Sequence, residues 1–177
     1  MNRSRFIIAL LMIGIVATTT SCKKKLTEFD IDYTSQVVVN STFGQLIPFS
    51  LNTPEMQTNS EFEFESNNTR ADKVERINLT ELRLKITSPN GETFSFLNSV
   101  EIFISSPNHT EKKVAFKESI PNNPGSILTC DLVDLELQDF IKDERFTLRL
   151  LTVTDETIPQ DVTVEVYTNF RVKAKLL

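Results

Sequence analysis

The chain has 177 residues, 24 of them acidic and 19 basic, for a formal charge of −5, with one His, two Cys, four Gly and no Trp. With 40% hydrophobic residues it can fill a core, which sets it apart from the disordered, collagen-like and disulfide-stapled classes. The acidic balance argues against a nucleic-acid partner, because phosphate neutralisation needs clustered Lys and Arg.

Residues 1–5 carry Arg3 and Arg5, and residues 6–16 are an unbroken apolar run of eleven, the layout of a signal peptide. Spanning a bilayer as a helix takes roughly 20 apolar residues, so residues 1–21 are expected to be removed rather than to stay as an anchor. Ser21-Cys22, directly after this leader, resembles the lipobox of bacterial lipoproteins, in which a small residue precedes a Cys that becomes lipidated and N-terminal. The resemblance implies acyl chains on Cys22. Stable attachment takes about two chains at about 0.8 kcal/mol per buried methylene, so a diacylglycerol plus an acylated amine would hold the protein firmly. Residues 22–27, including Lys23, Lys24 and Lys25, then form a lipidated tether. Cleavage leaves 17 basic against 24 acidic groups, so the mature chain is more acidic than the precursor and its positive charge sits at the membrane.

From residue 28 to 177 the dominant signal is period two, broken by Asn, Pro, Ser, Gly and Asp. Phe29, Ile31 and Tyr33 predict the first strand, and Ile47, Phe49 and Leu51 the second. Phe62 and Phe64, alternating with Glu61, Glu63 and Glu65, predict another. Leu82, Leu84 and Ile86 predict a strand that turns at Ser88-Pro89-Asn90-Gly91 into a hairpin with Phe94 and Phe96. Ile77 and Leu79 are out of phase with Leu82, so a bulge or strand break is expected between them. Val100, Ile102 and Ile104 predict a strand that forms a hairpin with Val114 and Phe116 through the turn around Pro107. The 121–125 segment reads as a loop leading to a strand that contains Cys130.

Leu137, Phe140 and Ile141 follow helical spacing with acidic residues ahead of them, so a short helix is expected near 134–142. Strands follow at Phe146, Leu148 and Leu150, and at Val162, Val164 and Val166 beyond the acidic loop 155–161; Phe170, Val172 and Ala174 continue or follow the last. Nine or ten strands and one helix predict an all-β fold: a two-layer antiparallel β-sandwich of immunoglobulin-like architecture. Phe side chains, at roughly 150 to 250 Å² buried each, are expected to dominate its core. Cys130, alternating with Leu128 and Leu132, reads as a buried small hydrophobe.

Beyond the lipobox, the chain is similar to a loose group of small, uncharacterised lipoproteins of the Bacteroidetes. The resemblance is carried by Ser21-Cys22 followed by Lys, by residues 68–74 (NTRADKV) and 88–97 (SPNGETFSFL), by Asp139-Phe140-Ile141-Lys142 and by Phe170-Arg171-Val172-Lys173-Ala174. It implies a lipid-anchored β domain and brings no catalytic or binding residue with it.

Chemistry is sparse. Asp30 and Asp32, and Glu61, Glu63 and Glu65, are expected on solvated faces opposite the core. Calcium could be sought at Asp155, Glu156 and Asp161, or at Asp131, Asp134 and Glu136, but neither set has the register of a calcium loop. One His and one free Cys cannot assemble a zinc site, and there is no phosphate-cradling Gly loop or nucleophile elbow. No catalytic residue, metal ligand or cofactor is therefore assigned. The first expectation is a non-enzymatic module of the cell envelope, at the outer membrane, held through Cys22 and acting structurally or on an envelope protein or polymer. The second is a carrier of lipid or another apolar ligand between the sheets, and the third a hydrolase using surface carboxylates.

Overall fold

Residues 26–42, 46–121 and 123–177 are described by the computed structural model. The expected signal peptide, Cys22 and the three lysines lie outside these residues. In chain order the elements are β1 (Leu26–Val39), β2 (Phe49–Asn52), β3 (Met56–Gln57), α1 (Ser60–Ser66), β4 (Val74–Ser88), β5 (Leu97–Ser106), β6 (His109–Lys117), β7 (Ile127–Thr129), β8 (Asp131–Leu132), α2 (Gln138–Lys142), β9 (Arg145–Thr154) and β10 (Val162–Lys175). Short 3-10 turns at Ala71–Lys73 and Phe94–Phe96 lead into β4 and β5.

The strands form a two-layer antiparallel sandwich, the architecture that immunoglobulin-like domains share. One sheet has the order β1-β10-β4-β7; the other has β2-β9-β5-β6-β8, with β3 also paired to β9. β1 and β10 run in unbroken register from Leu26 opposite Lys175 to Val39 opposite Val162. β10 alternates throughout, burying Val162, Val164, Val166, Phe170, Val172 and Ala174. The change of phase in β4 is a bulge at Thr80: Leu82 faces Thr168 and Leu79 faces Phe170, with a register shift between them. One extra residue restores both Leu79 and Leu82 to the core. At one end of the interior Tyr33, Phe146 and Phe170 meet edge to face, with centroids 5.0 to 5.9 Å apart.

The structure corrects three local expectations. Residues 61–65 are helical, so Glu61, Glu63 and Glu65 do not share a strand face. Asn59 enters with φ 48°, and its carbonyl accepts the Glu63 amide to start the helix. Glu61 and Glu63 then sit in the first turn, where negative charge suits the helix dipole. Phe64 closes on Phe29 from this helix, while Phe62 points to solvent.

The turn at 88–91 is present, with a cis Ser88-Pro89 bond and Gly91 at φ 82°, but it does not close a hairpin. The chain crosses to the other layer; Phe94 and Phe96 plug the corner, and β5 pairs with β6 and β9 rather than with β4. Alternation reports which face is apolar, and both routes bury the same residues. Finally, the expected strand through Cys130 is two strands in different sheets. β7 pairs with β4 and β8 with β6. Cys130, buried between them with its amide on the Leu82 carbonyl, marks the change of layer. The hairpin of β5 and β6 and the short helix α2 form as expected, with Leu137, Phe140 and Ile141 inward.

Candidate functional site

α1, α2, β3 and the β5–β6 turn gather at the end of the sandwich where β1 begins. Between the helices lies an open groove of about 490 Å³, with Gln57, Asn59, Glu61, Lys142 and Glu144 on its walls and exposed Phe62 at its rim. Thr58 fixes its floor. The Thr58 hydroxyl donates to the Asp143 carbonyl at 2.6 Å, its amide donates to the Glu144 carbonyl at 3.0 Å, and its carbonyl accepts the Tyr33 hydroxyl at 2.8 Å. Burial, with Glu63 adding to it, pushes the Tyr33 phenol up, so this donor keeps its proton. Lys142 is held by the Gln138 side chain at 2.7 Å. The walls carry charge of both signs and more polar than apolar area, which suits a wet polar contact better than an acyl chain.

Beside the groove, Asp143 ties the α2–β9 junction to the β5–β6 turn. Its Oδ2 accepts the Ser106 hydroxyl at 2.6 Å and lies 3.2 Å from His109 Nδ1, while its Oδ1 accepts Asn108 Nδ2 at 2.9 Å. Burial works against the Asp143 charge, but the hydrogen bonds from Ser106, Asn108 and His109 outweigh it and hold the carboxyl down at about 2. A nucleophilic relay needs the imidazole between hydroxyl and carboxylate, using both ring nitrogens. Here Ser106 Oγ and Asp143 Oδ2 both face Nδ1, at 3.3 and 3.2 Å, and the serine gives its proton straight to a very weak base. The His109 ring also leans on Phe140 with centroids 5.6 Å apart. This cluster locks a turn.

The turn around Pro107 was legible in the sequence, but the cluster at its base was not. Its organiser lies 34 residues beyond His109, and no local spacing announces it.

No family model and no curated sequence matches the chain. Among solved structures, the decameric BFDV capsid protein superposes with a TM-score of 0.42 at 9% identity, covering 85% of this chain and 99% of that one. The 60-mer BFDV capsid protein gives 0.45 at 11%, covering 86% and 95%. Likenesses this distant transfer no function.

Six of the carboxylates singled out from the sequence are taken by separate partners. Asp30 makes a two-pronged pair with Arg171, which holds its carboxyl below the usual range. Asp32 accepts Tyr167 at 2.8 Å and Asn169 at 2.6 Å. Asp131 faces Lys117 at 3.3 Å and Asp134 faces Arg76 at 3.1 Å, while Glu136 accepts the Ile77 and Gln138 amides. Asp161 accepts the Ser41 amide at 2.9 Å. Among the described residues, no three His, Cys, Asp or Glu side chains gather to hold a metal ion. Cys130 is the expected core thiol, and burial pushes its pKa up to about 12.

Between the sheets, the space bounded by Val37, Leu84, Phe94, Leu97, Leu150 and Val164 amounts to about 20 Å³. That is room for about one water molecule. Among the described residues, no helix is long and apolar enough to cross a membrane.

Proposed function

We propose that the protein is a lipid-anchored module of the cell envelope, at the outer membrane, that works by structural support or by binding an envelope protein or polymer and not by catalysis. The observation that carries this reading is the leader, with Arg3 and Arg5, the eleven-residue apolar run and Ser21-Cys22, placed just ahead of a self-contained sandwich. Two features of the domain support it. Asp30 and Asp32 are tied individually into cross-strand contacts with Arg171 and Tyr167. The Ser106, His109 and Asp143 arrangement favours a rigid hairpin over proton transfer.

The carrier reading draws no support from the cavity lined by Leu84, Phe94 and Leu150 between the sheets, since ligand pockets run to about 300–1,000 Å³ and this one holds about 20 Å³. The mature protein isolated from membranes is expected to begin at Cys22 and to carry the mass of its acyl chains. Cys22→Ala is expected to abolish palmitate labelling and membrane retention. An unmodified Cys22 on a protein fully released by washing would overturn the anchor.

A further inference from the structure

Only three residues, Lys23 to Lys25, and so four residue-to-residue steps, separate Cys22 from Leu26, where β1 begins. Fully extended, they reach at most about 14 Å at 3.3–3.6 Å per residue. The first rung of the sandwich, Leu26 opposite Lys175, is therefore confined to the headgroup layer or just above it. β1 then runs 14 residues to the opposite end, a distance of about 45 Å at roughly 3.3 Å per residue. The remaining question is whether the body stands on this end or lies on a side.

The sides are poor lipid contacts. The outer face of one sheet presents Asp30 with Arg171 and Asp32 with Tyr167, and the outer face of the other presents Arg149 with Glu111 and Lys113 with Glu101. Pressing either face onto lipid would desolvate those pairs. The tether end also carries ion pairs, Lys173 with Glu28, Lys175 with Glu75 and Arg70 with Asp72, so the reach of the tether and the apolar rim decide between end and side. That rim carries two exposed leucines, Leu26 and Leu177, the second 72% exposed. Leu177 is held to this end by its amide on the Asn68 carbonyl. Glu61, Glu63 and Glu65 on α1 are among the groups there that an anionic headgroup layer repels.

We propose that this end, through the Leu26 and Leu177 rim, is a bilayer-contacting surface, so that the domain stands upright and presents the loops of the far end, with exposed Leu46 and Ile47, about 45 Å from the lipid. The inference rests on the anchor at Cys22 proposed above. It is tested with the full lipidated protein in vesicles of phosphatidylethanolamine and phosphatidylglycerol containing headgroup spin-labelled lipid. Leu177→Cys and Ile47→Cys, both at exposed positions, each take a fluorophore while Cys130 stays buried and unlabelled. Flotation with the vesicles, lost in Cys22→Ala, establishes the anchor. Loss of most of the emission at 177 and none at 47 is the expected result. Flotation with equal quenching at both positions, or quenching at 47 alone, overturns the upright orientation and leaves the anchor standing. Failure to float overturns the anchor, and the orientation with it.

Discussion

Replacing Phe64 by alanine separates the helical assignment of residues 60–66 from the strand that Glu-Phe alternation implies. On a strand, Phe62 and Phe64 would point to one face and both would be buried. On α1, Phe64 is fully buried and closes edge to face on Phe29 with centroids 6.4 Å apart, whereas Phe62 is 69% exposed. Truncating a buried Phe to Ala costs about 3–5 kcal/mol. An exposed truncation usually stays within about 0.5 kcal/mol. With a urea dependence of about 1–3 kcal/mol per molar, Phe64→Ala should lower the unfolding midpoint by about 2 M. Phe62→Ala should leave it within a few tenths of a molar. Urea titration of the mature protein followed by circular dichroism reads both directly. Equal losses for the two variants would refute the helix and restore the strand.

The Asp143 knot predicts an acid-dependent stability. Because the folded carboxyl titrates at about 2 against an ordinary 3.8, its contribution is complete above about pH 4 and is lost as pH falls through about 2. It is worth at most about 2 kcal/mol. Asp143→Asn should lower stability at pH 7 and flatten that part of the pH profile, as measured by thermal melts between pH 2 and 5; an unchanged profile would remove the carboxylate from the account. Cys130, with its thiol pushed up to about 12, should resist thiol reagents at pH 8 in the native protein and react fully in urea. Rapid native labelling, followed by mass, would place it outside the core.

What the sequence disclosed depended on how local the determining contact is. The phase slip between Leu79 and Leu82 announced its bulge because a single-residue insertion reverses every side chain that follows. The spacing of Leu137, Phe140 and Ile141 identified α2 for the same local reason. Residues 61–65 misled because alternation over five residues also fits a helix on which Phe64 is buried and Phe62 is simply exposed. The second half of β1 was not read as strand, since Thr34, Ser35 and Gln36 have weak apolar contrast and are held by pairing with β10. The crossing after Gly91 and the change of layer at Cys130 bury the same side chains that hairpins would, so periodicity cannot tell them apart. Asp143 was invisible as an organiser because its partners approach from a different hairpin.

The pairing of β1 with β10 has a temporal consequence. Among the described strands, the earliest to be made has as its ladder neighbour the latest, with residues 40–161, 122 of them, to be looped out between the two. Until that final segment is delivered, β1 has no seat in its sheet and β4 lacks its main neighbour, leaving two long, sticky borders exposed. Completion is thus a late, non-local event of the slow-folding kind. A chain cut short before residue 162 would be able to build much of one layer and unable to close the other.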